Sequence, residues 1–262
     1  MESKHRRKYV ILGTGRSGTA YVSKLLQCSG LDIGHETLGA DGISSWYLTE
    51  DTPNKNSGSW GDLSLLNPVV AHQLRNPLKT IPSLMTINKD SWDFIKNSTI
   101  TSTWDNRLLV RSMRHWLEWN QVAFRKAEYH WTLEGLQKEI RPFLAAALPE
   151  LSLDVFNKNV QKVSQATNSS KTRALDLNRI FDTSPQVLFR RLRQAYTPLL
   201  LTTEKMHAAD SVLAQDIDAF HTEFKASVRF HRGLYESKKL EAKSVTNELQ
   251  PQLSSEGKSV AE

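Results

Sequence analysis

The sequence predicts a three-layer α/β protein, with helices on both faces of a central, mostly parallel sheet and a helical extension at the C-terminal side. Three observations predict it. The apolar run Tyr9-Val10-Ile11-Leu12 passes directly into a glycine-rich turn and a helix. A second run, Val69-Val70-Ala71-His72-Gln73-Leu74, passes through Arg75 and Asn76-Pro77 into another helix. Late in the chain, apolar residues recur at helical spacing.

Composition narrows the classes further. The chain has 262 residues, a net charge of +6, 39% hydrophobic residues and seven Trp, which suits a globular protein with a modest core. No apolar run approaches the length of a membrane span, and the basic start Lys4-His5-Arg6-Arg7-Lys8 leads into too few apolar residues for a signal peptide. With Cys28 alone, an intrachain disulfide and a cysteine-based zinc site are excluded, so a cytoplasmic location is expected and the sequons at Asn97 and Asn168 read as chance. The positive charge favours an anionic ligand, and the basic arm is too short to argue for nucleic acid.

The first strand, Tyr9 to Leu12, ends at Gly13-Thr14-Gly15-Arg16-Ser17-Gly18-Thr19, after which Val22, Leu25 and Leu26 share a helical face. Glycines let this turn approach a ligand closely, and the free N–H groups at a helix start attract an anion. The spacing Gly13 to Gly18 matches a nucleotide P-loop, yet Thr19 stands where that motif requires Lys. Arg16 is the nearby cation, able to clamp a phosphate or sulfonate through parallel donors. The anion-binding candidates are therefore Gly15, Arg16, Ser17, Gly18, Thr19 and Ala20.

This loop resembles that of the sulfotransferases, whose donor is 3′-phosphoadenosine 5′-phosphosulfate (PAPS) and whose 5′-phosphosulfate loop reads much like Gly-Arg-Ser-Gly-Thr. That family holds the 3′-phosphate with an Arg at a strand end and a Ser eight residues later. Here Arg75 ends the second run and Ser83 follows it by eight residues. The resemblance covers about residues 8–140 and implies a P-loop-type sulfotransferase fold, PAPS as donor and no metal. It also implies that Arg75 and Ser83 join the loop in binding PAPS.

Between the two motifs, Leu31-Asp32-Ile33-Gly34-His35-Glu36 reads as a strand ending in two ionisable residues. Glu36 stands twenty residues beyond Arg16, where the bacterial, Golgi and tyrosyl-protein sulfotransferases place a glutamate base. An acceptor hydroxyl attacking sulfur must lose its proton, and a carboxylate within reach can take it. His35 is the competing base, as in the sulfotransferases of small phenols and steroids. Strand alternation predicts that only one of the pair faces the donor. Glu36, Arg16 and His35 are thus the catalytic candidates, with a carbohydrate-type hydroxyl the favoured acceptor by analogy.

Thr37 to Pro68 reads as a long connection whose Trp46, Tyr47 and Trp60 could stack on an acceptor or form a satellite core. Asn106 to Lys126 is expected to be a helix, Tyr129 to Leu133 a strand, and Leu136 to Ala147 a helix. Trp131-Thr132-Leu133-Glu134-Gly135-Leu136 resembles a family strand-to-helix segment, with Glu134 structural. Ser169, Ser170, Lys171 and Arg173 are candidates for the late segment that closes the family's 3′-phosphate site.

Val187, Leu188, Leu192, Tyr196 and Leu199 share a helical face. Leu213, Ile217, Phe220, Phe224, Val228, His231 and Leu234 then predict one long amphipathic helix that packs on the α/β domain or pairs with a second copy of the chain. The expected division is an α/β domain over 1–183, a helical extension over 184–246 and a disordered tail over 247–262. Two other functions compete with PAPS-dependent transfer to a hydroxyl acceptor. One is a P-loop kinase-like phosphotransferase, opposed by the missing lysine. The other is an inactive nucleotide-binding or oligomerising scaffold.

Overall fold

The computed structural model describes residues 7–51, 58, 60–168 and 201–255. Its strands are β1 (Tyr9–Leu12), β2 (Ile33–His35), β3 (Gly42–Ser44), β4 (Val69–Leu74) and β5 (Tyr129–Thr132). They form one sheet in the order β2-β3-β1-β4-β5, with every neighbouring pair parallel. The α/β class expected from the sequence is the one observed.

Parallel strands covered on both faces read as continuous apolar runs, and β1 shows why. Tyr9 and Ile11 pack with Val22, Leu25 and Leu26 of α1 (Thr19–Cys28) on one face. Val10 and Leu12 pack with Ile43, Leu48 and Val70 on the other. The first face is completed by α6 (Leu136–Glu139), α7 (Arg141–Ala147) and α8 (Leu153–Asn168), which contribute Leu136, Phe143, Leu144, Phe156 and Val160. The second is covered by α3 (Pro77–Leu84) and α5 (Leu108–Lys126) and by two late helices, α9 (Thr203–Ala209) and α10 (Ser211–Ser255). The short α2 (Trp60–Ser64) and α4 (Lys89–Lys96) lie in the connections; in the chain-order numbering used here, α2 precedes β4.

Several expectations are corrected. The stretch from Thr37 to Pro68 is not one long connection: it contains β3, which inserts between β2 and β1. This strand is only three residues long and starts at a glycine, because a β-carbon on Gly42 would stand 1.9 Å from the carbonyl oxygen of Tyr9. The helix expected from Leu136 to Ala147 is split at Ile140. Pro142, in the first turn of α7, has no N–H to continue the helix before it.

In α10, Leu213, Ile217, Phe220, Phe224 and Val228 are buried, while His231 and Leu234 are exposed. The helix nonetheless continues to Ser255, past the residue where apolar periodicity fades. It lies against β5 and α5, with Phe224 edge-on to His72 at 5.0 Å. The face of Val187, Leu188, Leu192, Tyr196 and Leu199 and the candidates Ser169, Ser170, Lys171 and Arg173 lie outside the described residues. Among the described residues no helix is long and apolar enough to cross a membrane.

Candidate active site

Because the strands are parallel, their C-terminal ends share one edge, where open α/β sheets hold ligands. β1 opens there into the glycine loop, β4 into Arg75, β2 into Glu36, β3 into Trp46 and β5 into Glu134.

The loop is folded tightly. Arg16 and Gly18 have φ of 67° and 100°, in the left-handed region. A β-carbon on Gly18 would stand 2.9 Å from Leu133 Cδ2, so this position requires glycine twice over. On Gly13 a β-carbon would meet the Gln73 carbonyl oxygen at 2.7 Å. Gly15 has room for ordinary contact only, with Leu84 at 3.5 Å and Trp46 at 3.7 Å from the same hypothetical atom. Gln73 holds the loop from below: its Nε2 donates to the Ser17 carbonyl at 2.9 Å, while Trp131 Nε1 donates to its Oε1 at 3.1 Å.

Two hydroxyls in this loop, Thr14 Oγ1 and Ser17 Oγ, are buried with no hydrogen-bond partner among the described residues. Thr19 and Ala20 begin α1, whose N-terminus receives no side-chain cap. Buried polar atoms are nearly always bonded, and orphaned hydroxyls beside an uncapped helix start are groups that an anion could satisfy.

The second motif meets the first. Asn76 caps α3 by accepting from Leu78 N at 2.9 Å, and Pro77 is the first helical residue. Ser83 comes one residue before the end of that helix rather than in its opening turn, and its Oγ accepts from Arg16 Nε at 2.8 Å. Arg75 Nη1 donates to the Arg16 carbonyl at 3.0 Å, and Arg75 Nε is buried without a partner among the described residues. Among the described residues neither guanidinium is paired with a carboxylate. Burial, and then the charge of Arg75, hold the Arg16 guanidinium below its ordinary proton affinity. Arginine stays charged in proteins, so two like charges stand together with donors unspent. Glu134 is turned away from them, accepting from the Asn76 N–H at 3.3 Å and standing 3.8 Å from Lys79 Nζ.

His35 and Glu36 do not alternate as the strand reading predicts. Glu36 has φ of 56°, also left-handed, which turns its side chain to the same side as that of His35. His35 Nε2 lies 3.8 Å from Glu36 Oε1 and 3.3 Å from the Thr19 hydroxyl at the start of α1. A non-glycine residue held in this way costs about 1–3 kcal/mol and persists only where its surroundings fix it.

No protein-family model matches the sequence, and no curated protein sequence matches it. Among solved structures, the crystal structure of mouse sulfotransferase SULT7A1 complexed with PAP is similar. It shares 10% sequence identity over 83% of this chain and 89% of that chain, with a TM-score of 0.40.

The aromatic residues near Glu36 form a satellite core rather than an open platform. Trp46 is 6% exposed and packs with Trp92, Ile95 and Trp119, while Tyr47 is half-buried with its ring 4.0 Å from that of Trp46. Burial above all raises the proton affinity of the Tyr47 phenol. His115 lies in the same cluster, 4.4 Å from Trp119, with neither ring nitrogen partnered among the described residues. His72 is bonded through Nε2 to Asn120 at 2.9 Å in the core beneath α10. Two residues went unassigned in the sequence reading: Gln73, as the loop's support, and Trp46, as a hydrogen-bond donor to Glu36. The signal for Gln73 was available, since it and His72 are the two polar residues of a strand that is otherwise apolar and buried throughout.

Proposed function

We propose that this chain is a PAPS-dependent sulfotransferase. One observation carries the reading: Arg16, Arg75 and Ser83, distant in sequence, meet beside a glycine loop with orphaned buried hydroxyls. Two guanidiniums with no carboxylate partner among the described residues, and uncapped helix N–H groups, suit a ligand with several negative charges, and PAPS has three anionic groups. The loop, with Gly15, Arg16, Ser17, Gly18, Thr19 and Ala20, would hold the 5′-phosphosulfate, and Arg75 with Ser83 the 3′-phosphate.

In the proposed reaction the acceptor oxygen approaches sulfur opposite the bridging oxygen, and Glu36 takes the acceptor's proton. The sulfur–oxygen bond to the nucleotide breaks, leaving 3′-phosphoadenosine 5′-phosphate (PAP). Arg16 and the loop N–H groups stabilise charge on the sulfonate and the leaving phosphate, an arrangement most effective when preorganised. His35, beside both Glu36 and Thr19, is the alternative base. A carbohydrate-type hydroxyl is the proposed acceptor class, by analogy with the glutamate-base sulfotransferases. A kinase-like transfer is disfavoured by Thr19 standing in place of the P-loop lysine.

Calorimetric titration with PAP, and separately with ATP and magnesium, tests this reading. Tight PAP binding is expected for the wild type, weakened by about 10- to 100-fold in Arg16→Ala and in Arg75→Ala, the loss for a charge-assisted hydrogen-bonding group. Binding of ATP alone would refute it.

A further inference from the structure

A carboxylate that accepts a proton during transfer must be aimed, and Glu36 leaves a strand end through a backbone conformation that glutamate rarely adopts. One contact that fixes its carboxylate is Trp46. The indole Nε1–H donates to Glu36 Oε1 at 3.1 Å, on a residue only 6% exposed. Trp46 is itself locked from behind. Trp119 Nε1 donates to its carbonyl at 3.0 Å, and its ring stands edge-on to Phe94 at 5.6 Å and to His115 at 5.8 Å. On another side the indole lies against the anion loop, where a β-carbon on Gly15 would stand 3.7 Å from Cδ2 and Cε2. A single rigid ring thus stands beside the donor loop and donates to the carboxylate.

We infer that Trp46 is a positioning residue for the transfer, an inference that rests on the proposed role of Glu36. The indole spaces the carboxylate from the loop and fixes where Oε1 lies. An indole N–H donates and cannot accept, so it does this without competing for the proton that a base must take. Placement of this kind governs turnover more than donor affinity, since a small displacement of a reacting group slows reaction while the ground-state contacts survive.

Hydrolysis of PAPS, with water as acceptor, gives a test that needs no identified acceptor. Water's oxygen bonds to sulfur, the bond from sulfur to the bridging phosphate oxygen breaks, and the proton passes to Glu36, releasing sulfate and PAP. Trp46→Phe removes the N–H and keeps an aromatic ring. It is expected to bind PAP within about twofold of wild type, with KM for PAPS similarly preserved and kcat lowered roughly tenfold. In wild type, the Trp46 indole 15N–1H resonance is expected to move upfield when Glu36→Gln removes the charged acceptor.

Wild-type kcat in Trp46→Phe, or a raised KM with unchanged kcat, overturns the inference. If Trp46→Phe loses PAP binding together with its native circular dichroism, the resonance decides, and no shift on Glu36→Gln overturns the inference. Wild-type hydrolysis by Glu36→Gln would instead refute the base assignment, whatever the Trp46 variants show.

Discussion

Acidification from pH 7 to pH 5 should remove stability through three buried imidazoles. Burial, with a smaller push from His130 and against the bond to Asn120, lowers His72 to about 3. Burial lowers His115 to about 3. Burial, then the charge of His231, lowers His130 to about 4. In the unfolded chain each titrates near 6.5. As pH falls through that value the unfolded chain takes up protons that the folded protein refuses, so the stability present above about pH 6.5 is lost on the way down to the folded values. At pH 5 the gap is about 1.5 units, or about 2 kcal/mol for each histidine, so the three together approach the 5–15 kcal/mol of a typical domain. Urea unfolding followed by tryptophan fluorescence at pH 7, 6 and 5 measures it. His115→Phe is the informative variant: neither ring nitrogen is bonded among the described residues, so the change removes a titrating group and no hydrogen bond. It should shrink the pH 7 to pH 5 loss by about a third. A midpoint independent of pH, or an unchanged loss in His115→Phe, would refute the reasoning.

Gly18→Ala should lower PAP affinity at least tenfold by calorimetry. The new β-carbon meets Leu133 at 2.9 Å and the backbone must keep φ near 100°, a strain of about 1–3 kcal/mol that a tight loop passes on to its ligand. Phe224→Ala should cost about 3–5 kcal/mol in urea unfolding, because its fully buried ring packs on His72 and Phe124 and pins α10 to the sheet. A loss below about 1 kcal/mol would mean that the helix is held elsewhere.

How much was legible in the sequence depended on what fixed each element. β1 was readable because burial on both faces leaves an uninterrupted apolar run, and β4 because its run opens with Val69-Val70-Ala71 and closes with Leu74, while Pro77 and Asn76 announced α3 through local chemistry. β3 was not, since its place rests on the close approach of Gly42 to Tyr9 rather than on side-chain pattern. At the site, the spacing of Arg75 and Ser83 placed two residues that the fold does bring beside Arg16. The turn at Glu36 was illegible: nothing in Gly34-His35-Glu36-Thr37 signals a left-handed glutamate, and its indole partner is ten residues on, across β3. Alternation failed there because the strand ends at His35 and Glu36 takes a left-handed conformation just beyond it.

The sheet order also bears on how the chain comes to fold. β1, the earliest of the described strands, sits in the centre and pairs with Gly42–Ser44 on one side and Val69–Leu74 on the other. A nascent chain therefore displays its most apolar strand with both edges open until about thirty further residues have emerged, and with one edge open until about sixty have. The helix α10, which covers the same sheet at β5, follows β1 by about two hundred residues. Closing such distant pairs is slow, and the glycine loop, anchored to β1 and supported by Gln73 of β4, can take shape only after the centre of the sheet has closed.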